Sequence, residues 1–82
     1  MNKSKPSKPF LREHITSALQ DYFSKLEDEP ARNIYSLVLN EVESALLAIV
    51  MKEVKGNQSR AAEWLGLNRG TLRKLLVKYD LS

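Results

Sequence analysis

The chain is 82 residues long, with a net charge of +3, a single histidine and no cysteine. That length holds one domain at most and buries only a modest share of its unfolded surface, so help from an oligomer partner is expected. Without cysteine there are no disulfides, no thiol catalysis and no His/Cys zinc site, and no metal or other cofactor is expected. The chain has no long uncharged apolar run and its N-terminus is polar. Neither a membrane span nor a signal peptide is therefore expected, and the reducing cytoplasm, or the nucleoid within it, is the default compartment.

Charge is unevenly distributed. Residues 1–12 carry four cations (Lys3, Lys5, Lys8, Arg12) and no acid. Residues 13–53 carry eight acids against three cations, and residues 54–82 carry six cations against two acids. An acidic middle and a basic C-terminal third suggest that one end of the molecule meets a polyanion.

Residues 1–9, MNKSKPSKP, offer almost nothing to bury and are expected to form a disordered basic tail. The first helix is predicted from Phe10 or Leu11 to Leu26. Leu11, Ile15, Ala18, Leu19, Tyr22, Phe23 and Leu26 mark one apolar face there. His14 lies off that stripe and takes no role. The run Glu27-Asp28-Glu29 before Pro30 reads as a solvated helix stop, in preference to a metal site.

The second helix is predicted from Ala31 or Asn33 to Lys55. Its first half has a wide apolar stripe on Ile34, Leu37, Val38 and Val42, and residues 45–51 are apolar without exception. Seven consecutive apolar residues point all round the axis and require cover on every side. One chain supplies too little cover, so a second copy crossing near a two-fold axis is expected. The alternative is a monomer with exposed apolar surface, which invites aggregation. Residues 10–55 are thus read as dimerisation helices, with Leu19, Tyr22, Phe23, Val38, Val42, Leu46, Ile49 and Val50 as the dimer core.

Residues 56–82 read as two short helices joined by a tight turn. The first runs from about Gln58 to Leu65, with Asn57 as N-cap and Gly66 as a left-handed stop. Leu67 turns inward, Asn68 offers a second N-cap, and Arg69 opens the last helix. There Leu72, Leu75, Leu76 and Tyr79 share one side. Asn68, Arg69, Thr71, Arg73, Lys74 and Lys78 occupy the others. Cations and short polar groups around such a helix start suit a DNA major groove, where arginine can pair with guanine O6 and N7. The plainer reading is a helical hairpin with a solvated charged side. Trp64 is expected to pack between this motif and the dimer body.

At these residues the chain resembles a family. GNQSRAAEWLGLNRGTLRK, from Gly56 to Lys74, is similar to the C-terminal DNA-binding segment of the Fis family of bacterial nucleoid-associated proteins (factor for inversion stimulation). The likeness continues through Leu19 to Phe23 and Ile34 to Glu43. It implies an all-α, four-helix protomer with a C-terminal helix-turn-helix, intertwined as a homodimer through its first two helices. It implies a DNA-bending regulator of transcription and nucleoid structure. Its recognition helices would stand closer than one turn of straight B-DNA, so that the duplex bends and its central minor groove narrows. Carried over residue by residue, the resemblance puts Asn68 and Arg69 beside bases, with Arg69 on a guanine. Asn57, Thr71, Arg73 and Lys74 then meet phosphate or the groove edge, and Ser59 and Lys78 are further backbone contacts.

Some positions depart from that pattern. Leu75 and Val77 stand where lysines are common, Ala45 replaces a proline, and Asp80 adds an acid. The family's N-terminal arms contact recombinases; too few residues precede the first helix here for such an arm, so that contact is not expected. Contact with RNA polymerase is left open. Two rival readings are the isolated DNA-binding domain of an NtrC-type activator, which would need an upstream ATPase domain, and a protein-protein adaptor dimer in which the motif only packs. With one isolated histidine, no thiol and no glycine-rich phosphate loop, the sequence offers nothing to carry catalysis.

Overall fold

A computed structural model describes residues 10–26 and 32–82. It is all-α, with four helices: α1 (Phe10–Leu26), α2 (Ile34–Glu53), α3 (Gln58–Leu65) and α4 (Arg69–Lys78). The predicted basic tail and the acidic stop before Pro30 lie outside the described residues. α1 falls in one compact unit, and α2 falls in a second with α3 and α4, from Asn33 to Ser82.

α1 buries no residue fully, but Ile15, Leu19, Tyr22 and Leu26 are half-buried at i, i+4, i+7 and i+11. Phe23, expected in the dimer core, is 44% exposed. His14 sits edge-on to Phe10, with ring centres 4.9 Å apart. An ion pair joins Lys25 Nζ to Asp21 one turn away at 3.1 Å, both exposed, and so contributes little.

α2 starts and stops inside its predicted limits, for backbone reasons. Asn33 is left-handed at φ 52, which keeps it out of the helix. At the other end Lys55 is left-handed at φ 54 and Gly56 at φ 80. The Lys55 amide donates to Lys52 O and the Gly56 amide to Met51 O, which closes a Schellman stop. The same pair of bonds recurs twice. Gly66 (φ 71) and Leu67 donate back to Glu63 and Ala62, and Asp80 (φ 58) and Leu81 donate back to Val77 and Leu76. Asp80 therefore has a backbone role, as the left-handed stop after α4, because aspartate tolerates this region better than most residues.

The core of the second unit is Leu47, Val50 and Val54 from α2 and its end, Ala61 and Ala62 from α3, and Leu72 and Leu76 from α4. Met51, Leu65, Leu75, Tyr79 and Leu81 pack around it. Two alanines at 0% and 5% exposure let α3 lie close on its neighbours, and Leu47, Leu72 and Leu76 fill the space they leave. Val50 is thus part of the protomer's own core, a correction to its expected place in a dimer interface.

The all-round burial expected for residues 45–51 is met on one side only. Leu46 and Ile49 are 48% and 60% exposed, and Tyr35, Leu39 and Val42 are exposed with them. Positions 35, 39, 42, 46 and 49 follow an alternating spacing of four and three, the seam that a second helix packs into. At 100° per residue the seam lies about a quarter-turn from the Leu47/Val50/Val54 side. α2 is also long and apolar enough to cross a membrane by length and composition, with a mean hydropathy of 1.6. Glu43 stands at its middle, where a charge in hydrocarbon costs about 3 kcal/mol, and Glu41 is close by. Cover by protein suits this helix better.

The left-handed stops make a direct prediction. Gly66 has open space where a side chain would point, so Gly66→Ala costs only backbone strain, about 1–2 kcal/mol. Lys55→Gly relieves the same strain and raises stability by up to about 1 kcal/mol. Urea unfolding at one fixed protomer concentration checks both signs.

Candidate nucleic-acid interface

The two N-caps form where the residue types imply. Asn57 Oδ1 accepts from the Arg60 amide at 3.1 Å, and Asn68 Oδ1 accepts from the Gly70 amide at 2.7 Å. Each occupies one of the amides that a helix start leaves unpaired. Asn68 is exposed at the start of α4 and keeps its side-chain NH2 available as a donor. Its oxygen is already engaged.

α4 has a clear inside and outside. Leu72 and Leu76 are buried and Leu75 and Tyr79 half-buried on one side. At 100° per residue, Gly70, Arg73, Lys74 and Val77 fall on the opposite side. These four line a shallow depression open to solvent. Arg69 and Thr71 flank it near the helix start. All of Asn57, Ser59, Asn68, Arg69, Thr71, Arg73, Lys74 and Lys78 are exposed, so the structure brings every predicted contact residue to the surface of one unit. Among the described residues the only ion pair is Lys25–Asp21, so Arg60, Arg69, Arg73 and Lys74 make none. A set of cations with no internal partner keeps its attraction for a polyanion.

Lys78 differs from the rest. Its Nζ donates to Asn40 Oδ1 at 3.3 Å and lies 5.0 Å from the centre of the Tyr79 ring. The Tyr79 hydroxyl donates to Glu43 Oε1 at 2.6 Å and is 3.1 Å from Asn40 Oδ1. The hydrogen bond to the Glu43 carboxylate, helped by burial, raises the Tyr79 pKa above its ordinary value of 10.0. The raised pKa belongs to the folded state, so the tie contributes stability below the ordinary tyrosine pKa and loses it as pH climbs from there through the raised folded-state value.

Three features escaped the sequence reading. Gly70 suits the cap, because a Cβ there would stand 3.1 Å from Asn68 Oδ1 and the cap would have to shift by a few tenths of an ångström. A glycine in the first turn of a helix, where it costs about 1 kcal/mol against alanine, was the available signal. Arg60 adds a cation to the first turn of α3. Tyr79 does more than face the core, and periodicity alone gives no hint of its hydroxyl partner. Leu75 packs against the core and Val77 is 64% exposed, so the two departures from lysine have different settings. Trp64 is 54% exposed, because it lies off the Ala61/Ala62/Leu65 side of α3.

Known proteins resemble this chain over most of its length. Residues 38–79 match the family described as bacterial regulatory protein, Fis family. A Fis-like DNA-binding protein of Pseudomonas aeruginosa is 56% identical over 71 residues, 87% of this chain and 68% of the relative. The DNA-binding protein Fis of Actinobacillus succinogenes is 54% identical over 72 residues, 88% of this chain and 73% of the relative.

The caps predict a separation of effects. Asn57→Ala removes a helix cap and lowers stability by about 1 kcal/mol, whereas Ser59→Ala stays within about 0.5 kcal/mol of the parent. Thermal unfolding followed by circular dichroism checks the contrast.

Proposed function

Because the chain belongs to the Fis family of bacterial regulatory proteins, we propose that it is a DNA-binding regulator that works as a homodimer and bends the duplex it holds. The observation that carries the reading is the outer side of α4. Arg73 and Lys74 stand there without an ion-pair partner among the described residues, on either side of a glycine that lets backbone approach a phosphate, and Asn68 and Arg69 stand at the tip. Arg69 pairs with guanine O6 and N7, and the Asn68 NH2 reaches a base acceptor beside it. Thr71, Arg73 and Lys74 hold the phosphates flanking the groove, and Asn57 and Ser59 at the start of α3 hold a neighbouring one.

Uncovered area supports the dimer. Val42, Leu46 and Ile49 of the α2 seam are exposed in the protomer, with Leu39 and Tyr35 in line, and Val38 is half-buried beside them. Covering the half of each side chain that is still exposed is worth about 1 kcal/mol. α1 adds Leu19, Tyr22 and Phe23, so residues 10–55 supply the dimer body and residues 56–82 the DNA-binding segment. A symmetric pair presents two α4 tips to one flank of the duplex. Where the tips stand closer than about 34 Å, the DNA bends and its uncontacted centre selects deformable, A/T-rich sequence. The protein then sits on the chromosome, in the nucleoid.

Footprinting across a genomic library, with bend angles on the strongest sites, tests the proposal; absent or salt-insensitive protection rules it out. Arg69→Ala weakens the preferred sites by about 1–3 kcal/mol and relaxes the guanine preference. Lys74→Ala weakens all sites alike and lowers the salt slope by about one. Leu46→Glu shifts sedimentation from dimer toward monomer at micromolar concentration, and unchanged sedimentation would exclude the seam.

A further inference from the structure

Two kinds of force hold α4 on its unit. Leu72 and Leu76 bury against the α2 core, an attraction that has no direction and leaves the tilt of a helix loosely defined. The second kind is directional and sits at the far end. Tyr79 follows α4, and its hydroxyl reaches Glu43 at 2.6 Å and Asn40 at 3.1 Å, while Lys78 reaches Asn40 at 3.3 Å. Among the described residues these are the side-chain hydrogen bonds that span from one helix to another; the others stay within three residues along the chain. Asn40 and Glu43 are neighbours on one side of α2, three residues apart, so they form a two-point socket. A short hydrogen bond to a carboxylate is the strong, orientation-dependent kind.

The geometry points to Tyr79 as a positioning residue: its clamp on Glu43 and Asn40 sets the tilt of α4 on α2 and, through it, the separation of the two Arg69 tips. Lys78 serves this clamp and not a phosphate. The inference rests on the dimeric DNA-reading role proposed above. From Tyr79 to Arg69 is about 15 Å along the helix, so rocking by ~10° about the clamped end moves Arg69 by about 2–3 Å. A hydrogen bond to a base edge tolerates far less than that. In a symmetric dimer the two displacements add. The clamp therefore governs which separations of half-sites are accepted, more than how tightly a phosphate is held.

The test compares the full chain with Tyr79→Phe, Glu43→Gln, Lys78→Ala and Lys74→Ala. Affinity is measured on duplexes whose paired guanines are stepped apart around an A/T centre, together with the salt slope. The tilt of α4 relative to α2 is measured without DNA, from residual dipolar couplings. Tyr79→Phe loses the donor, so it is expected to flatten the preference among separations by about fivefold or more and to alter the tilt. Glu43→Gln keeps an oxygen acceptor and is expected to retain both properties. Lys78→Ala is expected to leave the salt slope in place, where Lys74→Ala lowers it by about one. A purely structural Tyr79 would lower affinity equally at every separation with the tilt unchanged, and that result overturns the clamp. A Lys78→Ala slope that falls as for Lys74 overturns the role given to Lys78. If the parent chain binds no duplex, the DNA-reading role fails, and the tilt measurement alone decides the clamp.

Discussion

The seat of α3 and α4 on the last two turns of α2 is the contact on which the rest depends. Leu47, Val50 and Val54 form its floor, Ala61 and Ala62 allow α3 to approach closely, and Leu72 and Leu76 drop α4 into place. Seven buried residues among those described are few for a stable domain, and α1 supplies none of them. The exposed, cation-bearing side of α4 is simply the side that this seat leaves outward. Orientation of the interface is a by-product of core packing.

At the ends of α2, α3 and α4 the chain turns sharply, and it does so with the same device each time. Lys55, Gly66 and Asp80 are left-handed, and the amides around them return to carbonyls of the preceding helix. Such turns satisfy helix-end carbonyls and set the direction in which the chain leaves. The asparagine caps then start the next helix at once. Asn68 joins the two functions, since the oxygen that starts α4 and the NH2 that stays available belong to one side chain.

α2 divides its circumference between two tasks. One side carries α3 and α4, and about a quarter-turn away Tyr35, Leu39, Val42, Leu46 and Ile49 form an exposed apolar seam. A single rigid rod between two interfaces transmits geometry from one to the other. In the dimer proposed above, the separation of recognition helices is tied to how α4 sits on its own α2, which gives the polar contacts at Asn40 and Glu43 their importance.

Much of this was legible in the chain itself. The spans of α1, α3 and α4, both asparagine caps, the Gly66 stop and the outward placement of the cations depend on residues within four positions of one another, and helical periodicity encodes them. The resemblance over NRGTLRK pointed to the family. Tertiary structure alone decided the allocation of Val50 to the protomer core, the exposure of Trp64 and the attachment of Lys78 and Tyr79 to residues 36 to 39 positions earlier. It also decided the backbone strain at Lys55, a residue with no intrinsic taste for that conformation. Local pattern states that a side chain is apolar or charged; which of several available neighbours it meets depends on how whole helices settle against one another, and that is a property of the packed core.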